Sequence, residues 1–126
     1  MIKFYQLRQG AILVAGILAA GGVHAAEIKS MEWKNSFGEK AIILETDGKV
    51  KFETFELDNG KRLRVSFPDS NIDKNVKAIT GNGIVTGVSA TSDEGSVHVD
   101  LLTSVPAHLS VISTPEGYRL TTEPSL

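Results

Sequence analysis

Few side chains in this sequence can do chemistry, and most of them fall on two short stretches. Arg62 and Arg64 stand two residues apart in LDNGKRLRVSF, and His98 and Asp100 stand two apart in VHVDL. Two planar guanidinium forks on one side of a strand match carboxylates bidentately. Asn59 and Ser66 flank the arginines, and together with His98 and Asp100 they offer hydrogen bonds to a polar ligand. The competing reading pairs both arginines with Glu53 or Glu56 on a neighbouring strand, as cross-strand ion pairs do.

Catalytic readings of the same residues fall short. No Ser sits in a Gly-rich elbow with a His and an acid around it. His98 and Asp100 share a strand face and give two of the three ligands a catalytic metal needs, with His108 as the third candidate; a surface His beside a solvated Asp is the plainer account. The carboxylates are scattered rather than paired as a glycosidase requires. Gly81-Asn82-Gly83 precedes strand-like Ile84-Val85-Thr86, not the helix that a phosphate loop needs. The chain has no Cys, which removes disulfides, thiolate metal sites, a Cys nucleophile and an acylated Cys anchor. The sequence therefore predicts no enzyme, no metal site and no cofactor.

The elements that must position these residues are strands. Short alternating apolar runs recur between Gly, Asn, Asp and Pro, without sustained helical periodicity. The runs are Glu27 to Trp33, Lys40 to Thr46, Lys51 to Leu57, Lys61 to Phe67, Ile84 to Ala90, Ser96 to Leu102, His108 to Ser113 and Tyr118 to Thr122. Asn71 to Thr80 reads as a connection between sheets, with a short strand around Val76 to Ile79. Asp58-Asn59-Gly60 accepts the positive φ of a tight hairpin turn. Leu63, Val65, Phe67, Val97, Val99 and Leu101 are expected in the core, and Arg64, Ser66, His98 and Asp100 on the opposite face. Trp33, in phase with Met31, reads as core. Phe52 and Ile43, out of phase with their neighbours, are expected on the surface as an apolar contact patch. Eight or so strands in about 100 residues make an all-β sandwich of two small, mostly antiparallel sheets rather than a closed barrel.

The first 25 residues read as a secretory signal. Lys3 and Arg8 form a positive start, Ala11 to Ala20 an apolar run, and Gly21 to Ala26 a small-residue cleavage region. The apolar run is shorter than the ~20 residues of a membrane span. Cleavage falls before Ala26, with Glu27 nearly as good, leaving 26–126 as one domain with no stable membrane insertion. The whole chain carries 13 Lys+Arg and 15 Asp+Glu, a net charge of −2, and loss of Lys3 and Arg8 makes the mature protein more acidic. An acidic domain lacks the basic field that nucleic acid binding requires.

The segment Phe55 to Pro68, FELDNGKRLRVSFP, resembles the AMIN domain, the non-catalytic N-terminal module of periplasmic N-acetylmuramoyl-L-alanine amidases and type IV pilus secretins. Phe55, Leu57, Arg62, Leu63, Val65 and Phe67 fall on its F-x-L, turn, R-L-x-V-D-F pattern. Val76 to Ile79 and Val97 to Leu101 fall on its second block, and Leu109 to Leu120 on its closing hairpin. The likeness runs from about Glu27 to Thr122. Ser66 stands where the family usually has Asp, and Ser96 where a basic residue often precedes the second strand. The resemblance implies a sandwich of two small sheets that binds peptidoglycan in the periplasm and localises attached machinery. With nothing after Leu126, the expectation is a standalone binder in which Arg62 and Arg64 meet stem-peptide carboxylates, while Asn59, Ser66, His98 and Asp100 bond amides and sugars. The alternative is a protein–protein adaptor, an accessory of an amidase, a secretin or a type IV pilus assembly, docked through an unpaired edge strand.

Overall fold

The computed structural model describes residues 14–15 and 26–125. The signal-peptide reading of residues 1–25 lies outside these, apart from Val14–Ala15. Among the described residues there are eleven strands: β1 (Val14–Ala15), β2 (Ala26–Ser36), β3 (Glu39–Asp47), β4 (Glu53–Leu57), β5 (Arg62–Phe67), β6 (Ser70–Ile72), β7 (Ile79–Asn82), β8 (Val85–Asp93), β9 (Ser96–Thr103), β10 (Ala107–Ser113) and β11 (Gly117–Pro124). They form a front sheet in the order β1-β4-β5-β9-β8-β7 and a back sheet in the order β10-β11-β3-β2-β6. All pairings are antiparallel except that of β2 with β6. The expected β-sandwich is the observed fold.

Alternation at period two builds the core. Leu63, Val65 and Phe67 of β5 and Val97, Val99 and Leu101 of β9 are all buried. They face Ile28 and Met31 of β2, Ile42 and Leu44 of β3, and Tyr118 and Leu120 of β11. Burying each such side chain contributes about 1.5–3 kcal/mol. Ile28 and Met31 are three apart yet both inward, because a β-bulge between Ile28 and Ser30 shifts the phase of β2. Trp33 packs against the core as expected, and its Nε1–H donates to the Thr80 carbonyl at 2.8 Å, tying the back sheet to β7 of the front sheet.

Two expectations need correction. Phe52 is not a surface contact: it is 8% exposed and forms an aromatic trio with Phe67 and Tyr118, the Phe52–Tyr118 centroids lying 5.6 Å apart and edge-on. The register explains it. Thr54 pairs with inward Val65, so Phe52, two residues earlier, shares the inward phase, and Phe55 opposite Arg64 takes the outer one. No strand runs from Val76 to Ile79: β6 ends at Ile72 and β7 begins at Ile79, with Val76 in the crossover that carries the chain between sheets, as the connection expected over Asn71 to Thr80.

Close approaches and turns explain key glycines. Asp58, Asn59 and Gly60 all have positive φ (+53°, +57° and +83°), so the β4–β5 turn is a left-handed corner that the Asn-Gly pair tolerates. A Cβ on Gly117 would sit 2.0 Å from the Leu44 carbonyl, so only glycine lets β11 lie against β3 there.

The aromatic trio generates a test. Phe67→Ala is expected to cost about 3–5 kcal/mol, read as a lower urea midpoint by the fluorescence of Trp33.

Candidate functional site on the outer face of the front sheet

β5 is sandwiched between β4 and β9, and its register fixes the site. Arg64 lies opposite Asp100 on β9 and Phe55 on β4; Ser66 lies opposite His98 and Glu53; Arg62 lies opposite Leu102 and Leu57. The residues that fill one outer face are thus set by the same alternation that sends Leu63, Val65, Val99 and Leu101 inward.

Asp100 is the electrostatic centre. Its side chain is 8% exposed, and both oxygens are engaged. Arg64 donates from Nε to Oδ1 at 2.7 Å and from a terminal nitrogen to Oδ2 at 3.0 Å, while Arg62 donates to Oδ2 at 2.6 Å. Burial alone pushes the Asp100 pKa up, but hydrogen bonds and charge from Arg64 and Arg62 outweigh it and hold the carboxyl below its ordinary value. Arg64 is raised in turn, chiefly by its hydrogen bond to Asp100 and against desolvation. Arg62 also reaches Asp58 at 3.7 Å. The arginines therefore find their partner on β9, not in Glu53 or Glu56. Two cations share one buried anion, and each guanidinium carries five N–H donors, so both keep donors for a second carboxylate.

Next to this pair lies a shallow cleft of about 270 Å³ lined by Lys51, Glu53, Phe55, Ser66, Pro68, Ser96 and His98. Ser66 Oγ lies 2.7 Å from His98 Nδ1, and His98 Nε2 lies 3.3 Å from Asp93. The row has the composition of a hydrolytic triad but not its setting. Ser66 stands mid-strand, and the neighbouring β5 amides are spent on the β4 and β9 ladders rather than aimed at an oxyanion. The serine and imidazole offer hydrogen bonds across a polar floor.

The other expected residues are placed as follows. Asn59 is exposed at the β4–β5 turn, at the Arg62 end of this face. His98 and Asp100 occupy neighbouring rows. His108 lies on β10 of the back sheet, its Nδ1 2.7 Å from Glu56, so the three metal candidates do not converge. Among the described residues, no group of three or more His, Cys, Asp or Glu could hold a metal ion. The hydrogen bond and charge of Glu56 raise the His108 pKa. That contact is complete below the ordinary His range and is lost as pH rises through the raised value. Sequence reasoning passed over Lys51 and Phe55 as site residues; the phase of Phe55 was the available signal, since it shares the outward parity of Arg64.

Asp100→Asn is expected to destabilise the fold by about 1–3 kcal/mol at neutral pH, a figure reduced because both guanidinium groups reach solvent. Because the folded pKa of Asp100 is depressed, its contribution is complete above the unfolded carboxylate range and is lost as pH falls through the folded value. Urea unfolding across pH 7 to about 2 checks this: wild type and Asp100→Asn should converge in stability only at the acid end.

Comparison with known proteins bears on the fold. No curated protein and no solved structure gives a significant match. The AMIN domain family profile matches residues 31–121, from Met31 in β2 to Thr121 in β11, and so takes in β5, β9 and the whole Arg62–Asp100–Arg64 cluster. AMIN domains are non-catalytic peptidoglycan-binding and targeting modules of periplasmic proteins. By that match, the chain belongs to the AMIN domain family.

Proposed function

We propose that this protein is an exported, non-catalytic module that binds peptidoglycan in the periplasm through the outer face of its front sheet. The observation that carries the reading is the pair of guanidinium groups held over a single carboxylate. It leaves guanidinium donors facing solvent on a molecule whose net charge is −2, with exposed Asp58 a second anion 3.7 Å from Arg62. Oligosaccharides cross-linked by short peptides present carboxylates, amides and hydroxyls together, and this face offers a matching donor for each.

Arg62 and Arg64 meet stem-peptide carboxylates with the N–H groups that Asp100 leaves unspent. Ser66, His98 and Asn59 bond amides and sugar hydroxyls. Phe55 and Pro68 supply the apolar side of the cleft, and Lys51 a further cation at its edge. Asp100, expected from sequence to bond the ligand, enters as a positioning residue, because its oxygens already hold the two forks. Without that anion the guanidinium groups would repel each other and lose their common orientation.

Co-sedimentation with purified sacculi tests the proposal. Residues 26–126 contain the core residues among those described, so this piece carries its own fold. It should pellet with sacculi at low salt and less well as salt is raised. Arg62→Ala with Arg64→Ala should weaken retention at least about tenfold, since each removed charged hydrogen bond is worth roughly 1.5–3 kcal/mol. Arg62→Lys with Arg64→Lys should recover only part of it, because the charge returns without the fork. Protein that stays in the supernatant at low salt contradicts the function; retention untouched by the double alanine change contradicts the site.

A further inference from the structure

A sheet edge exposes unspent N–H and C=O groups, and proteins blunt it with charge, proline, bulges or brevity. Three edges here are blunted. β4 has five residues and carries Glu53 and Glu56, which blunt it in residues 26–126 as well, where the Val14–Ala15 pairing is absent. β6 has three residues, and β7 has four, one of them Gly81. β10 differs: Ala107-His108-Leu109-Ser110-Val111-Ile112-Ser113 spans seven residues with unbroken register against β11, and has no Pro, Lys, Arg, Asp or Glu. Among the described residues it pairs with β11 alone, and Ile112 is 48% exposed.

The phase of the ladder shows which groups are free. Thr114 and Gly117 exchange both backbone bonds, at 2.9 and 3.2 Å, so the pairs two and four residues further along are hydrogen-bonded as well. Ser110 and Ile112 therefore spend their backbone groups on β11, while Leu109, Val111 and Ser113 point theirs outward. Ala107 shares that outward phase but is closed off, since a Cβ on Gly60 would lie 3.3 Å from its nitrogen.

We propose that β10 is a self-association edge, to which β10 of a second copy adds antiparallel about a two-fold axis through Val111. In this register Val111 pairs with Val111 and Leu109 with Ser113 of the other copy, twice over. Every outward-pointing residue of the free stretch is matched, for about six ladder hydrogen bonds. On the outer side Ile112 of each copy meets Ser110 of the other; the stretch itself has no charged residue, and the Lys49 ammonium that donates to Ser113 Oγ at 2.9 Å sits at its end. A second copy fits better than an unrelated segment because the free groups are self-complementary and the added strand is already folded, so no chain is ordered on binding. A single strand edge buries far less than the ~800 Å² per partner of a standard interface, so the dimer is a weak one.

A two-fold axis normal to the joined back sheets leaves both front sheets on the same side, so their outer faces point in one direction. If those faces bind the wall, the dimer grips it twice and gains avidity without new contacts. This consequence rests on the proposed function; the dimer does not.

Sedimentation equilibrium of residues 26–126 from about 10 μM to about 1 mM, the range suited to a small interface, should show the mass rising from monomer towards dimer. Ser110→Lys with Ile112→Lys places lysines opposite each other twice on the solvent side and should weaken association at least about tenfold, with an unchanged circular dichroism spectrum. The chain has no Cys, so Val111→Cys provides one thiol. Its Cα lies about 5.5 Å from its mate in a hydrogen-bonded pair, within disulfide range, and it should oxidise to a covalent dimer faster than Asp93→Cys. A wild type that stays monomeric at about 1 mM, a lysine variant that associates equally well, or equal cross-linking at the two positions would each overturn the proposal. None of these results bears on sacculus binding by the monomer.

Discussion

The antiparallel pairing of β5 with β9 is the constraint from which both core and site follow. One register sends Leu63, Val65, Phe67, Val97, Val99 and Leu101 into the sandwich and sets Arg64 against Asp100 and Ser66 against His98 on the other side. A slip of one residue would exchange the two faces, burying arginines and exposing leucines. The core that stabilises the domain therefore also locks the geometry of its polar face.

That face is ordered by electrostatics as well as by packing. A carboxylate as enclosed as Asp100 needs partners, and two guanidinium groups supply them. The same contacts orient long side chains that would otherwise lose entropy on meeting a ligand. On the back sheet the comparable device serves the fold instead: Arg119 is buried and spent on Ser36 and Glu39, beneath the ring of Phe37. Arginine at an outward position thus does not by itself mark a site; what distinguishes Arg62 and Arg64 is that they share one anion and still reach solvent.

Much of this was legible in the sequence because strands write their two faces in alternate residues. The inward set on β5 and β9, the left-handed Asp58-Asn59-Gly60 turn and the family likeness in Phe55 to Pro68 are all local signals. Less legible was whatever depended on which strands become neighbours. The partner of Arg62 and Arg64 lies 38 and 36 residues away on β9, whereas Glu53 and Glu56 were the nearer carboxylates in sequence. Phe52 was misplaced because Phe52, just before β4, and Phe55, within it, fall in opposite phases, one against Tyr118 and one opposite Arg64, and only the pairing of β4 with β5 decides between them. The contact of His108 with Glu56 joins the two sheets, a relation that periodicity within a strand does not encode.

The most direct measurement of the central claim is residue-resolved NMR of residues 26–126 titrated with a soluble muropeptide. Binding through the front face predicts the largest shift changes at Arg62, Arg64, Ser66 and His98, including the guanidinium Nε–H signals. Changes confined to Glu32, Lys34 and Ile43 on the back sheet, or no changes at saturating muropeptide, would contradict it.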